Sequence, residues 1–286
     1  NIKQSLESMK SLELDILVYT EIASSSAPYC LACNRIAPVQ IVLPGNVMTS
    51  GLSTVDYFLS SELFEPENGD EYYSERLIRL RGLVSGINEQ HFRKNLKTRE
   101  ELKLPTDKKL FGLLHNPIKY HPDMDGLIEE IAKTNSEAVF IVSKGMNSFQ
   151  TQRLVERWRR FAPTALSQCI FIERMKKENY SMVLNCLDLL LDPIYSGCGT
   201  TGLDAMAVGV PVVTMSGLHS RGRIMAGIYK GMGIENPPIA LDTQEYISWC
   251  KTIASSKTLR AELKISLSHA YSRFSKTNSS AVTEMV

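Results

Sequence analysis

Gly199-Thr200-Thr201-Gly202, with Asp204 one helical turn further on, is the segment of this 286-residue chain with the most chemistry in it. It lies in the run Leu187–Val213, where an apolar strand enters a Gly/Ser loop, a helix opens at Thr200, and a second apolar strand follows Pro211. A strand, a small-residue turn and a helix start make an anion site, because unpaired N–H groups and the positive helix end face the turn. A phosphate suits such a site. Thr200 and Thr201 can donate hydroxyl and backbone hydrogen bonds to it, or they can simply cap the helix. Asp204 can hold a ribose hydroxyl or merely complement the helix dipole.

Lys119 follows another predicted strand in the polar run His115–Pro122. A lysine there can pair with a diphosphate and stabilise a leaving group, or it can be an ordinary solvated side chain. His115 and His121 flank it and can reach phosphate or acceptor. Tyr180 can stack on a base or pack as a half-buried helix aromatic. Cys30 and Cys33 form a single CxxC with no second pair to complete a zinc site, and they are expected to pack. Asp123-Met124-Asp125 begins a predicted helix and is read as capping, not as a metal clamp. There is no GxSxG elbow, Walker A loop or clean GxGxxG.

Elements that could position these groups alternate regularly. Strands are predicted at 15–20, 37–43, 56–60 and 76–80, with a helix near 3–9. A polar linker follows at 82–97. A second series then runs as strand 109–114, helix 122–134, strand 138–143, helix 148–161, strand 168–172, helix 177–184, strand 187–191, helix 200–208 and strand 210–215, with a helical remainder. Alternation of this kind predicts parallel, doubly wound α/β sheets. Ligands in such sheets sit beyond the C-terminal strand ends. The loops 115–122, 173–180 and 197–204 all lie at such ends, and with the loop 45–51 they are expected to converge on one cleft between the domains.

Composition narrows the classes. Apolar content of 43% and charged content of 22% are those of a globular protein. A net charge of +1 offers no basic stripe for nucleic acid. No apolar run approaches a membrane span, and no signal peptide opens the chain. The six Cys have no disulfide-framework spacing, so a reducing, cytoplasmic setting is expected. The chain opens on Asn, and a fragment or excised domain is expected.

In order and spacing, these residues resemble the catalytic region of the O-GlcNAc transferase-like family and its bacterial relatives, including protein N-glucosyltransferases. The resemblance rests on Arg35–Gln40, Thr49-Ser50-Gly51, Asp56-Tyr57 and Glu71–Glu75 in the first series. In the second it rests on Lys119 with Pro122, Gly199–Gly202 with Asp204, Gly209–Met215, Gly217 and Arg223. It implies a GT-B fold of two Rossmann-like domains: 1–88, the C-terminal part of an acceptor-side domain, and 89–286, the donor domain. It implies an inverting transfer of GlcNAc or a hexose from a UDP-sugar to a protein side chain, with no cofactor or metal. Lys119 would be the catalytic cation at the diphosphate. Gly199, Thr200 and Thr201 would bind phosphate, and Asp204 the ribose. Arg174 and Met175 would read uracil, with Lys177 beside ribose or uracil and Tyr180 over the base. Asn116 and Gly45 would lie near the donor, Gly45 bordering the sugar. The alternatives are a GT-B transferase acting on glycan or lipid, and a non-catalytic nucleotide-sugar-binding module.

Overall fold

The structure, a computed structural model, describes residues 1–83 and 97–277. The domain junction expected at 88/89 lies outside the described residues. The chain forms two compact units. Among the described residues, the first comprises 1–83 with Leu218–Arg223, and the second 97–217 with 224–277.

The first unit is a parallel sheet in the order β1 (Ile16–Tyr19), β2 (Val39–Val42), β3 (Tyr57–Ser61), β4 (Arg76–Leu80). Helices α1 (Ile2–Lys10) and α2 (Ser26–Ala32) precede β1 and β2. Tyr19, Ile22, Ala32, Val42, Val55, Phe58 and Leu77 form its core. Its larger aliphatic and Phe side chains contribute about 1.5–3 kcal/mol each on burial. The shared-motif residues of this unit prove to be scaffolding. Arg35 grips Asp56 through both guanidinium nitrogens, at 2.5 and 3.0 Å. The buried Gln40 side chain accepts from Ile36 N–H and donates to the Asn34 and Thr54 carbonyls. Cys30 lies in α2 and Cys33 caps it. Both thiols are free and exposed, so the packing role expected for them does not hold.

The second unit is a parallel sheet in the order β10-β9-β8-β5-β6-β7. Its strands are β5 (Lys109–Leu113), β6 (Ala138–Ser143), β7 (Cys169–Ile172), β8 (Leu189–Leu191), β9 (Val212–Met215) and β10 (Ile239–Ala240). The helices are α3 (Asp123–Thr134), α4 (Ser148–Phe161), α5 (Pro163–Ser167), α6 (Lys177–Asn185), α7 (Thr200–Val208), α8 (Ile224–Gly231), α9 (Thr243–Ser255) and α10 (Lys257–Thr277). Leu110, Phe111, Phe140, Ile141, Leu189–Leu191, Val212 and Val213 are buried, as strands covered on both faces require. No described helix is long and apolar enough to cross a membrane.

In the second unit two strands start two residues later than the apolar pattern predicts, and both shifts trace to helix ends. Gly209 takes a left-handed φ of 76°, and the Val210 N–H returns to the Ala205 carbonyl. Val210 therefore belongs to the end of α7, and β9 starts at Val212. Likewise the Leu187 N–H bonds Leu184 at the end of α6, and the Asp188 N–H is the first to join the Leu110 carbonyl. Asp125 does not cap α3. It is buried and accepts from Arg157 at 2.7 Å and from the Trp158 indole at 2.9 Å, tying α3 to α4.

Candidate functional site

The strand order of the second unit fixes where its site lies. From β5 the chain winds outward through β6 and β7, then returns to the other side of β5 and winds through β8, β9 and β10. The reversal falls between β5 and β8, and loops leaving adjacent parallel strands in opposite directions open a crevice there. The loop after β5 carries His115, Asn116 and Lys119. The loop after β8 carries Asp192 to Gly199 and feeds α7.

Two hydrogen-bonded anchors shape that second loop. Asp192, fully buried, accepts from the Cys198 N–H at 2.7 Å and from the Thr214 hydroxyl at 2.7 Å. Its own carbonyl accepts from the Tyr246 hydroxyl at 3.0 Å. Burial pushes the Asp192 carboxyl up, while the Thr214 and Cys198 hydrogen bonds oppose the shift. The loop is thus bent back on the end of its own strand, which delivers Gly199 to the N-cap of α7. Gly199 has no side chain to cap with, and the first intrahelical bond runs from the Leu203 N–H to its carbonyl. Helix geometry leaves the amides of the first turn turned outward. Thr200 is exposed and Thr201 half-buried at that turn, and neither is the N-cap. Gly202 must lack a side chain, since a Cβ there would stand 2.5 Å from Met225 Sδ and 2.9 Å from Cys198 Sγ.

Lys119 ends a 3-10 turn, Pro117–Lys119, that Asn116 caps by accepting the Ile118 N–H. Its half-buried side chain reaches across the crevice and donates from Nζ to the Gly197 carbonyl at 3.3 Å. Asp204 is buried one turn into α7. Tyr180, on α6, is half-buried. Its hydroxyl lies beside Thr201 and Asp204 without a hydrogen bond of good geometry, and burial raises its pKa. Arg174, exposed, and Met175, half-buried, occupy the loop after β7 at the same sheet edge. Lys177 begins α6, and its side chain lies outside the described residues. The structure therefore brings Lys119, Gly199, Thr200, Thr201, Asp204 and Tyr180 to one place. Asn116 serves as a cap beside it.

The two histidines behave differently from expectation. His121 is half exposed, accepts the Asp123 N–H and meets the Tyr195 ring edge-on. His115 is in the core, 3% exposed, and burial, with the Lys119 charge second, lowers its pKa to about 3. It cannot reach a ligand on the surface. Asp192 is the residue sequence reasoning missed. Its signal was an acidic residue directly after a fully apolar strand and directly before Pro193.

In the first unit the expected loop follows β2. Gly45 is exposed, and a Cβ there would stand 2.5 Å from Glu21 Cβ and 2.6 Å from the Thr20 carbonyl. The loop is held by Glu75, which accepts from the Ser50 N–H and the Thr49 hydroxyl at 2.7 Å each, and from the Ser50 hydroxyl. Val47, Met48, Tyr72, Tyr73 and His219 line a cavity of about 230 Å³ beside it.

Comparisons with known proteins agree with one another. A mutant of the O-GlcNAc transferase of Thermobaculum terrenum superposes with a TM-score of 0.84 at 20% identity, over 99% of this chain and 54% of that one. HepE of Anabaena, solved in complex with UDP and glucose, superposes at 0.65 with 10% identity, over 99% of this chain and 81% of its own. The fold is GT-B. A tomato protein described as a probable UDP-N-acetylglucosamine–peptide N-acetylglucosaminyltransferase, SPINDLY, is 22% identical over 85% of this chain. An Arabidopsis thaliana protein with the same description, SEC, is 24% identical over 77%.

The chain is similar in sequence to O-GlcNAc transferase-like proteins and has the GT-B fold.

It spans about a quarter of the length of those curated relatives, 26% and 23%. No family model matches it. Within this fold, the Lys119–Gly197 bridge and the Gly-capped start of α7 are the features that bear most directly on what the second unit could bind.

Proposed function

We propose that this chain carries the donor half of an inverting, UDP-sugar-dependent glycosyltransferase that modifies a protein side chain with GlcNAc or a hexose. The observation that carries the proposal is the meeting of a cation and a bare helix start at the topological switch point. Lys119 lies across the crevice from the outward-facing amides of Thr200 and Thr201. An anion seated between them meets a full positive charge on one side and the positive end of a helix on the other.

The reaction follows from that arrangement. An acceptor nucleophile attacks the anomeric carbon from the face opposite the diphosphate and gives up its proton to solvent, and the bond from that carbon to the β-phosphate oxygen breaks. The electron pair leaves on the diphosphate, whose growing charge is taken up by Lys119, the Thr hydroxyls and the α7 amides. Asp204 holds the ribose, Arg174 and Met175 offer their backbone to uracil, and Tyr180 packs against the base side. Gly45, in the first unit, leaves space that a side chain would take. This chemistry needs no divalent cation, and none is assigned to it. The tomato relative, described as a probable UDP-N-acetylglucosamine–peptide transferase, and HepE, solved with UDP and glucose, support the choice of donor and acceptor.

Calorimetry with UDP is the first test, followed by a UDP-sugar screen on the full-length protein with mass spectrometry of candidate acceptors. Micromolar UDP binding that Thr201→Val weakens, with sugar transfer in the screen, is expected. Absence of UDP binding overturns the proposal. UDP binding without transfer to any acceptor would favour the non-catalytic binding module, and transfer only to glycan or lipid would change the acceptor class.

A further inference from the structure

Beneath the Gly197–Thr201 turn lie three side chains that the donor reading does not use as ligands: His115, Asp192 and Cys198. They are 3%, 1% and 1% exposed. A ligand atom from each lies within 4.8 Å of the others. They come from the ends of β5 and β8 and from the loop between β8 and α7, so the chain has brought them together from distant positions.

The imidazole of His115 is the anomaly. Neither Nδ1 nor Nε2 has a hydrogen-bond partner. Buried polar groups are ordinarily paired, because leaving one unsatisfied is costly. Its ring stands edge-on to Tyr120, whose hydroxyl oxygen accepts the His115 backbone N–H at 3.1 Å. Asp192 accepts from Cys198 N–H and Thr214, yet a carboxylate offers about four lone-pair sites, so capacity remains. The Cys198 sulfur occupies the space that Gly202 leaves open.

We propose that His115, Asp192 and Cys198 bind one divalent cation of the zinc class. A mixed nitrogen, oxygen and sulfur set suits zinc, whereas magnesium and calcium prefer oxygen alone. In a tetrahedral site with bonds of about 2.0–2.3 Å, two ligand atoms on one zinc stand roughly 3.3–3.6 Å apart. The three ligand atoms lie within 4.8 Å of one another, and closing on one ion draws them in by up to about 1.5 Å. On binding, the Cys198 S–H bond breaks, its proton leaves to solvent and a metal–sulfur bond forms. The thiolate and the Asp192 carboxylate then balance the two charges of the ion. Lys119 is the cation that faces this cluster. The ion ties the β5 and β8 loops together from below and takes no part in neutralising the diphosphate, so this inference stands apart from the proposed reaction.

The test uses the full-length protein carrying Cys30→Ser and Cys33→Ser, which removes the exposed thiol pair. After chelator treatment, zinc is titrated against a chromophoric chelator, with magnesium as the control. One zinc per chain is expected, unaffected by magnesium, and cobalt(II) in its place gives a thiolate charge-transfer band. His115→Ala and Cys198→Ser should each weaken binding by at least the roughly 10–100-fold that changes around a metal's ligands bring. No stoichiometric zinc in the folded protein, or binding unchanged in both variants, overturns the inference. Should the variants fail to fold, anomalous diffraction at the zinc edge decides: density among these three side chains supports it, and density elsewhere or none overturns it.

Discussion

Lys119 Nζ donates to the carbonyl oxygen of Gly197 at 3.3 Å, joining the loop that leaves β5 to the loop that leaves β8. The bond is long, and the acceptor is a neutral carbonyl. A negatively charged phosphate oxygen is a far stronger partner for an ammonium. The lysine is therefore held in the crevice by a contact that an anion can displace at little cost. Asp192 makes this possible, since it fixes the turn that carries both Gly197 and the start of α7.

Lys119→Ala is expected to lower turnover by about 10²–10³, the usual consequence of losing one group that stabilises developing negative charge. UDP affinity should change less, because the α7 amides remain. Steady-state kinetics of the full-length enzyme, beside UDP calorimetry, separate the two effects. Near-normal turnover would remove Lys119 from the chemistry.

Two glycines of the same turn should respond differently to substitution. Gly202→Ala places a methyl 2.5 Å from Met225 Sδ and 2.9 Å from Cys198 Sγ, so the core must shift. Overpacking of this kind costs about 1–3 kcal/mol. At Gly199 the nearest atom to an added Cβ is Ile224 Cγ2, at 3.9 Å, and Gly199→Ala should fold normally. Thermal unfolding of both variants checks the contrast, and equal loss in both would contradict it.

The phosphate-type turn and both parallel sheets were legible because each is written locally. Apolar runs at Leu110–Leu113, Ala138–Val142 and Leu189–Leu191 mark buried strands, and the Gly/Thr turn marks the helix start. What could not be read depends on contacts distant in sequence. Asp125 looked like a cap until Arg157 and Trp158 were seen to converge on it. His115 looked like a ligand-facing side chain because burial is invisible in a polar loop. Asp192 was silent because its partners, Cys198, Thr214 and Tyr246, are joined to it only by the strand order. Arg35, Gln40 and Asp56 were legible as a shared pattern, but their scaffolding role needed the hydrogen bonds.

Sugar transfer is expected to need neither added magnesium nor manganese. In the proposed reaction the positive charge at the leaving group comes from Lys119 and the α7 start, and a metal bridging the diphosphate would compete with both. Initial rates measured without and with millimolar magnesium should agree within experimental scatter. A rate that rises from near zero on adding magnesium would show that the cation does what is assigned here to the lysine and the helix.

Glu75 should give the first unit a measurable acid sensitivity. The side chain is buried, which by itself disfavours the charged form, yet the hydrogen bonds from Ser50 and Thr49 outweigh this and hold its pKa below the usual carboxylate value. A carboxylate with a folded-state pKa below its unfolded value, about 4.3 for Glu, contributes stability that is complete above that value. The contribution is lost as pH falls through the folded-state value. Glu75→Gln keeps one acceptor oxygen but replaces the other with an NH₂ group, which cannot accept. At pH 7 it should destabilise the first unit by about 1–3 kcal/mol, the usual effect of leaving buried partners unpaired. The gap between variant and parent should then close as the pH drops below the carboxylate range. Both tryptophans, Trp158 and Trp249, belong to the second unit, so their fluorescence does not report on this change. Amide hydrogen exchange of the β3 and β4 backbone across that pH range does. A gap that stays constant down to pH 3 would mean that the Glu75 charge contributes nothing to holding the Thr49–Ser50 loop.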